Sequence, residues 1–156
     1  MHPYIHAKKN PNKPALIMAS SWEITTYKEL DERSNQIAHL FRQKGLKIGD
    51  GISIFMENNS RFLEICWAAQ RSGLYFTPIS SKLTAAEVKY IHDDCNSQFL
   101  ISSKYLKNVA NETFQLTKKT KHHYMVDGVE DGWQSFENAI MDLPKNPIPD
   151  EEMGQD

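Results

Sequence analysis

The sequence is poor in the residues that mark specialised kinds of protein. Only two of its 156 residues are cysteine, Cys66 and Cys95, which is too few for a disulfide framework in a chain of this length. We expect both to be buried, reduced thiols. Glycine and proline occur seven times each, which excludes collagen-like and low-complexity chains.

Positive and negative charges nearly cancel. Eighteen Lys and Arg against 20 Asp and Glu give a formal net charge of −2, which argues against a nucleic-acid-binding protein. With 40% hydrophobic and 24% charged residues, the composition is that of a globular protein. No segment approaches the roughly 20 apolar residues of a membrane helix, and no signal peptide is evident. We therefore predict a soluble, cytoplasmic protein without an integral membrane segment.

Two elements are predicted before residue 50. Residues 15–19 and 22–25 form an extended ribbon around a short serine turn. A helix then begins at Thr26, which forms a capping box with Glu29, and ends at Gly45, a residue suited to a left-handed C-cap. One apolar face of this helix is expected to be buried, and it consists of Leu30, Ile37, Ala38 and Phe41.

Beyond residue 50, strands and helices alternate about every 25 residues, the pattern of right-handed crossovers in a mostly parallel sheet. The apolar strands indicate helices on both faces. The predicted fold class is therefore α/β, with three layers, a mostly parallel sheet and the N-terminal ribbon. Residues 111–121 are predicted to be a polar loop. The predicted strands are 51–56, 74–79, 98–102 and 122–126, and the predicted helices span about 60–71, 84–95, 103–109 and 133–141.

The composition changes at residue 143. Residues 143–149 contain three prolines, which rule out a regular helix or a central strand because proline lacks the N–H donor. Residues 150–156 are acidic and carry no helix cap. We therefore expect residues 1–142 to form an α/β subdomain and residues 143–156 to be a connector.

Open α/β sheets bind ligands beyond the carboxyl ends of their strands. A phosphate-binding loop at that position needs glycines after a strand, followed by Lys-Ser or Lys-Thr. Gly45, Gly49 and Gly51 form the only glycine cluster, and it precedes a strand. No nucleotide site is predicted there.

The histidines do not suggest a metal site. His122 and His123 are adjacent, so on a strand they point to opposite faces. His2 and His6 are four residues apart, but Pro3 and the chain end make a helix at that position improbable. We expect all four histidines on the surface or at a strand edge.

The sequence indicates no general base that could activate a nucleophile. Cys66 lies within a helix in a core environment, where a thiolate is disfavoured. Ser80 and Ser81 follow a strand, but the sequence identifies no histidine within their reach. The basic run 118–121 is typical of a solvated loop. No catalytic, cofactor-binding or metal-binding residue is predicted in this chain.

Six segments resemble, in the same order, the start of the adenylate-forming acyl-CoA synthetases, the luciferase-like AMP-binding enzymes. The resemblance is collinear from His6 to about Ser103. In the family these motifs build the sheet and do not carry the chemistry. The segments are 6–15 (His-Ala to Pro-Asn-Lys-Pro-Ala), 26–35 (Thr-Tyr-Lys-Glu-Leu-Asp-Glu-Arg-Ser-Asn), 45–50 (Gly-Leu-Lys-Ile-Gly-Asp), 58–62 (Asn-Asn-Ser-Arg-Phe), 71–79 (Arg-Ser-Gly-Leu-Tyr-Phe-Thr-Pro-Ile) and 83–88 (Leu-Thr-Ala-Ala-Glu-Val).

Some positions depart from the family's usual wording. Gly51 stands where Arg, His or a β-branched residue is usual, and Phe76 replaces a frequent Tyr. Ser80 and Ser81 replace the Asp-Pro that is common in amino-acid-activating members. Together with the wording of residues 73–79, this last departure favours ligases of the fatty-acid type over peptide synthetases.

The resemblance implies a parent enzyme that converts a carboxylate, ATP and CoA to acyl-CoA, AMP and pyrophosphate, with Mg²⁺ on the phosphates. Its substrate would be a carboxylic acid, in the first place a fatty acid. The implied phosphate loop, adenine motif and C-terminal lysine are not in this sequence, and residues 149–156 would lead toward that loop. We therefore expect a truncated N-terminal piece that binds no cofactor, is inactive alone and self-associates through surface exposed by the truncation.

Two alternatives stay open. One is a fragment of an aryl- or amino-acid-activating adenylation enzyme, which substrate-pocket residues beyond residue 156 would reveal. The other is a free-standing, non-catalytic α/β module that binds a partner. A free-standing module predicts a well-behaved monomer, which light scattering would detect.

Overall fold

A computed structural model of the chain describes residues 2–152, in which helices and strands alternate after an N-terminal ribbon. The helices are α1 (Pro3–Lys9), α2 (Tyr27–Gln43), α3 (Ser60–Arg71), α4 (Ala85–Asp94), α5 (Lys107–Leu116) and α6 (Phe136–Ile140), and a 3-10 turn spans Lys104–Leu106. The strands are β1 (Pro14–Ile17), β2 (Ile24–Thr26), β3 (Gly51–Phe55), β4 (Tyr75–Ile79), β5 (Ser97–Ser103), β6 (His122–Val126) and β7 (Gln134–Ser135).

Five of these strands form one sheet in the order β4-β3-β5-β6-β7, and every neighbouring pair is parallel. β1 and β2 form a separate antiparallel ribbon. Helices α2, α3 and α6 cover one face of the sheet, and α4 and α5 cover the other. The predicted three-layer α/β fold with an N-terminal ribbon is confirmed.

The alternation of side chains along the strands divides the core into two layers. Ile52 and Ile54 of β3 pack under α2 and α3 together with Phe99 of β5. Phe55 and Leu100 face the opposite way and pack against α4 and α5. Both faces of the sheet are buried, which explains why its central strands are continuous apolar runs.

The predicted capping box at the start of α2 is present, and α4 begins with a second one. At the start of α2, the Thr26 N–H donates to Glu29 Oε2 at 2.8 Å, and the Glu29 N–H donates to Thr26 Oγ1 at 3.3 Å. The Thr84 N–H donates to Glu87 Oε2 at 2.8 Å at the start of α4. The N–H and hydroxyl of Thr26 hold the pKa of Glu29 below its usual value, because they stabilise the carboxylate.

The polar loop predicted at 111–121 is confirmed for residues 117–121 but is wrong for residues 111–116, since α5 continues to Leu116. Its inward face carries Ala110 and Thr113, both buried, and Thr117 follows one turn later, also buried. The hydroxyls of Thr113 and Thr117 donate to carbonyl oxygens four residues earlier, at 2.8 Å in both cases. Because threonines occupy inward positions, this face of α5 lacks the apolar periodicity from which a helix is predicted.

The N-terminal helix was also missed. Pro3 is the first residue of α1, where its missing N–H costs nothing. His2 precedes it as the N-cap, accepting from the Tyr4 N–H at 3.3 Å through Nδ1.

Two predicted boundaries were too wide. Trp22 was predicted in a ribbon strand but lies in the turn, with a left-handed φ of 59°, because the hairpin closes through the Met18 N–H on the Glu23 carbonyl at 2.9 Å. The helix predicted at 133–141 is reduced to α6, because Ser135 caps it and the two residues of β7 extend the sheet just before it.

Residues 143–152, which we call the strap, contain no helix or strand, as the prolines predicted. The strap lies along α2, and Ile148 within it is buried. The division of the chain at residue 143 stays a prediction, and residues 153–156 of the predicted connector lie outside the described residues.

Candidate ligand-binding edge of the sheet

The order of the strands marks one edge of the sheet as the place for a ligand. The chain passes from β3 outward to β4 and then returns across β3 to β5. Because the direction of winding reverses there, the loops after β3 and β5 diverge and leave a crevice at their carboxyl ends.

A hydrogen-bonded group of polar side chains occupies this crevice, and we call it the edge cluster: Glu57, Asn59, Ser103 and Asp127. The Asn59 amide donates to Asp127 Oδ2 at 2.7 Å and to Glu57 Oε1 at 3.3 Å. The Ser103 hydroxyl donates to Glu57 Oε2. Asn59 also accepts from the Arg61 N–H at 2.9 Å as the N-cap of α3. The loops after three strands are thereby joined.

The edge cluster offers oxygen acceptors rather than donors for an anion. Its two carboxylates would repel a phosphate group, and its single amide group, that of Asn59, already donates to both of them. In the described part of the chain, residues 2–152, no three His, Cys, Asp or Glu side chains are placed to hold a metal ion. These residues do not fit a triphosphate, whereas carboxylate oxygens are ligands of the kind that Mg²⁺ accepts.

A buried ion pair lies beside the edge cluster. Glu64 of α3 is completely buried, and its two oxygens accept from Arg33 at 2.9 Å and from Arg61 at 2.8 Å. Burial works against the charge of Arg61, but the Glu64 carboxylate outweighs it, so the pKa of Arg61 is raised. The sequence analysis did not anticipate this pair, although Arg61 and Glu64 are three residues apart on one helix, a spacing at which side chains meet.

Two neighbouring cavities open at this edge. The larger, of about 590 Å³, lies between the ribbon and α3, and we call it the ribbon cavity. The smaller, of about 230 Å³, is the polar compartment, whose lining includes Arg33 and Arg61. Both are bounded by the same three residues, Met18, Asn58 and Asn59.

The other residues weighed in the sequence analysis lie elsewhere. Ser80 lies beyond β4, and its hydroxyl accepts from the Lys82 N–H at 3.3 Å. Gly45 and Gly49, both with positive φ, flank the turn before β3, which is the opposite end of the sheet. Burial raises the pKa of the Cys66 thiol to about 12, so the expectation that its thiolate is disfavoured is confirmed. Cys95 is half-buried, and both cysteines are free thiols.

The histidines are more buried than we expected. His122 and His123 do face opposite sides of β6, since their rings pack on Phe99 and Phe114 respectively. However, His123 and His2 are buried, so a surface position is wrong for both. β6 is an inner strand, and α1 together with the strap covers His2, whose Nε2 lies 3.6 Å from Glu151 Oε1.

A third buried histidine, His92 of α4, was not predicted to have a role. Its Nδ1 lies 3.1 Å from Ser53 Oγ, and its Nε2 lies 2.6 Å from Thr120 Oγ1. Ser53 donates in turn to Ser97 at 2.8 Å. Hydroxyl partners without a carboxylate indicate a structural network, and it lies under α4, away from the edge cluster.

A layered, doubly wound sheet with polar side chains gathered at its carboxyl edge defines a ligand-binding α/β unit. The sequence pattern of one family, described as AMP-binding enzyme, matches residues 4–153. The chain belongs to this family, and the resemblance drawn from its motifs is confirmed.

None of the described helices is long and apolar enough to cross a membrane.

Individual relatives include ligases. Over 159 aligned residues the chain is 29% identical to 4-hydroxybutyrate--CoA ligase 1 of Metallosphaera sedula, with 97% of this chain and 27% of the relative covered. It is 32% identical to fatty acid--[acyl-carrier-protein] ligase ScoC of Streptomyces coeruleorubidus, with 61% and 18% covered. The fold also matches the crystal structure of the anthranilate CoA ligase AuaEII with a TM-score of 0.83 at 18% identity, covering 96% of this chain and 29% of that one. The chain thus spans less than a third of the length of these proteins.

Proposed function

We propose that this chain is part of an ATP-dependent, AMP-forming acyl-CoA ligase. The observation that carries the proposal is the family match over residues 4–153, together with a CoA ligase relative that aligns with 97% of the chain. In the proposed reaction a substrate carboxylate attacks the α-phosphorus of ATP and pyrophosphate leaves. The thiol of CoA then attacks the acyl carbonyl and AMP leaves.

The role proposed for the described residues is to build and position one half of the ligand crevice. The edge cluster fixes the loops after β3, β5 and β6 relative to one another through Asn59. Its carboxylates would repel the phosphates of ATP, so we propose that the triphosphate is held by residues outside this chain.

The substrate class proposed is a fatty acid. The serines that stand in place of Asp-Pro after β4 support it, as does the relative ScoC, whose name is that of a fatty acid ligase. A cytoplasmic location is part of the same proposal.

The test is ATP–pyrophosphate exchange with the longest natural protein that contains this sequence. Decanoate, benzoate and a mixture of amino acids are each supplied with ATP and Mg²⁺, and CoA is added in a second series. We expect exchange with decanoate and acyl-CoA formation when CoA is present. Exchange with amino acids alone would overturn the proposed substrate class, and the absence of exchange with every acid would overturn the ligase. The 156-residue chain alone is expected to show no exchange.

A further inference from the structure

The ribbon has one strand edge without a neighbouring strand. In the described part of the chain, β1 pairs with β2 alone. The Met18 N–H donates to the Glu23 carbonyl at 2.9 Å, so the backbone of Met18 faces β2. In the next pair, Ile17 and Ile24, the backbone groups point away from each other, because the two kinds of pair alternate in an antiparallel ladder. The N–H and carbonyl of Ile17 therefore point to the open edge of β1.

The ribbon cavity runs along this open edge. Among the described residues, its lining includes five consecutive positions, 16–20, and none of β2. A cavity on one face of the ribbon would contact every second residue of β1 and would reach β2 as well, because side chains alternate between the two faces. The opposite wall is the first turn of α3, with Phe62 and Leu63. The cavity is therefore a groove between a strand edge and a helix.

The open edge of β1 lacks the residues that keep strand edges unpaired. Natural sheets protect such edges with charged side chains or proline, whereas residues 16–19 are Leu-Ile-Met-Ala. The one irregularity in the register of β1 lies before Leu16. Just past the strand, the N–H and carbonyl of Ala19 have no backbone partner among the described residues. Ile17 and Ala19 thus offer two donors and two acceptors, two residues apart.

This groove matches a single extended polypeptide segment. The backbone of such a segment presents an N–H and a carbonyl at every second residue, which is the spacing of Ile17 and Ala19, and its side chains alternate, so that one set packs on Phe62 and Leu63. A small apolar molecule would cover the same wall but leave the backbone groups of Ile17 and Ala19 without a partner. A second copy of this chain does not fit, because its β1 would bring β2 into the place of α3.

We propose that the open edge of β1 binds an extended segment of the longer protein, apolar at alternate positions, which adds a third strand to the ribbon. The relatives are more than three times as long as this chain, so most of the polypeptide that could supply the segment lies outside these 156 residues. The choice of the same polypeptide over a separate partner rests on the proposed function. The open edge and the groove stand on the structure alone.

Amide hydrogen exchange at single-residue resolution tests this proposal. The 156-residue chain alone is compared with the longest natural protein that contains this sequence. We expect the Ile17 and Ala19 amides to exchange at least about tenfold more slowly in the longer protein, because pairing removes them from water. The Met18 amide, which is paired in both proteins, should change less. Rapid exchange of the Ile17 and Ala19 amides in the longer protein would overturn the proposal, and so would protection that requires a separate protein.

Two substitutions at one position distinguish strand pairing from simple covering of the groove. Ile17→Pro removes the outward N–H, a change that edge strands tolerate, and Ile17→Ala keeps this N–H but shortens the side chain. The readout is the difference in melting temperature between the two variants, measured in both proteins. We expect this difference to be larger by a few degrees in the longer protein, with the proline variant the less stable. The same difference in both proteins would show that no strand pairs with Ile17 and would overturn the proposal.

These readouts do not depend on catalysis, so the two proposals can fail separately. If the Ile17 and Ala19 amides are protected in a longer protein that shows no pyrophosphate exchange with any acid, the ligase proposal fails and the strand-binding edge stands. If pyrophosphate exchange is observed while both amides exchange rapidly, the strand-binding edge fails and the ligase proposal stands.

Discussion

The guanidinium of Arg71, at the end of α3, lies 3.4 Å from the carboxylate of Glu151 in the strap (Nη1 to Oε1). Arg71 is fully buried, and its Nη2 donates to Asp31 Oδ1 of α2 at 2.7 Å. Its backbone carbonyl accepts from the Glu152 N–H at 2.8 Å. The strap is therefore attached to α2 and α3 at one residue, the buried Arg71.

We expect Arg71→Met to destabilise the fold by about 3–5 kcal/mol, because it leaves the Asp31 and Glu151 carboxylates without the cation that offsets their partial burial. The free energy of unfolding in urea measures the effect. Lys89→Met is the matched control, since Lys89 forms an exposed pair with Asp93 that is worth less than about 1 kcal/mol. Equal stability of the two variants would show that Arg71 does not hold the strap.

A row of side chains on one face of α2 holds the rest of the strap. Asn35 donates to the Lys145 carbonyl at 2.9 Å, and His39 Nε2 lies 2.9 Å from the Asn146 carbonyl. Gln36 donates to the Ile140 and Leu143 carbonyls at 3.0 and 3.1 Å. Most of these contacts are to backbone carbonyl groups, so they fix the path of the strap largely independently of its own side chains.

Gln36→Leu should loosen the strap without unfolding the sheet. The substitution leaves the carbonyl groups of residues 140–143 without their donor, which costs about 1–3 kcal/mol when they stay buried, and local opening then exposes them to water. We expect faster amide hydrogen exchange over residues 140–152 and unchanged exchange in β3 and β5. Gln43→Leu, at the exposed end of the same helix, serves as the control and should leave exchange in the strap unchanged. Uniform acceleration along the whole chain would instead indicate global destabilisation.

Local signals in the sequence were sufficient for much of the fold. The capping boxes at Thr26 and Thr84 depend on residues three positions apart, and the parallel strands on apolar runs bounded by turn residues. The helix predicted at 103–109 was too short because Thr113 and Thr117 take inward positions, and their polarity concealed the helical period of the rest of α5. The strap was expected to be only a connector. Its attachment to α2 depends on backbone carbonyl groups, which every residue type has, so the sequence does not indicate it.

The candidate site was harder to predict. Asn59 caps α3, which is a local role within its own stretch of chain. Its second role, bridging Glu57 to Asp127, joins loops 68 positions apart, and only the order of the strands brings them together. The carboxylate of Glu64 is completely buried within α3. Its partner Arg33 lies on α2, so this pair too depends on tertiary packing.

The edge strand β4 gives a prediction about self-association. The Tyr75 N–H donates to the Asp50 carbonyl beside β3 at 2.9 Å. Backbone N–H groups alternate in direction along a strand. The backbone N–H of Phe76 therefore points to the open side of β4, and Pro78, the next position that would point there, has no N–H to donate. The open edge thus resists pairing with another strand, while the side chains of Tyr75 and Phe76, 74% and 38% exposed, are apolar and accessible.

We therefore expect the chain alone to associate at high concentration through these aromatic side chains and not through strand pairing. Light scattering should show association that decreases in a Tyr75→Ser, Phe76→Ser double variant. Tyr105→Ser removes an aromatic ring of similar exposure at the start of α5 and should leave association unchanged. A strictly monomeric chain would contradict this prediction and favour the free-standing module.

The buried histidines predict a dependence of stability on pH. Burial, with smaller contributions from the neighbouring His92 and His122, lowers the pKa of His123 from 6.5 to about 4. Burial also lowers the pKa of His92, which Asp93 partly offsets. The unfolded chain thus binds protons between pH 6.5 and 4 that the folded chain does not, so the free energy of unfolding falls as the pH falls through that window. For His123 the loss approaches about 3 kcal/mol at pH 4, and above pH 6.5 this contribution is constant.

Urea unfolding at intervals from pH 7.5 to 4 measures this slope. His123→Gln keeps an amide that can pair with the Thr117 hydroxyl, the present partner of His123 Nε2 at 2.9 Å, and removes the titration. We expect this variant to flatten the slope between pH 6.5 and 4. His122→Gln lies on the opposite face of the same strand, and His122 is only half-buried. This variant should flatten the slope less, because folding lowers the pKa of His122 less than that of His123. If both variants keep the original slope, the acid sensitivity arises from carboxylates and not from the buried imidazoles.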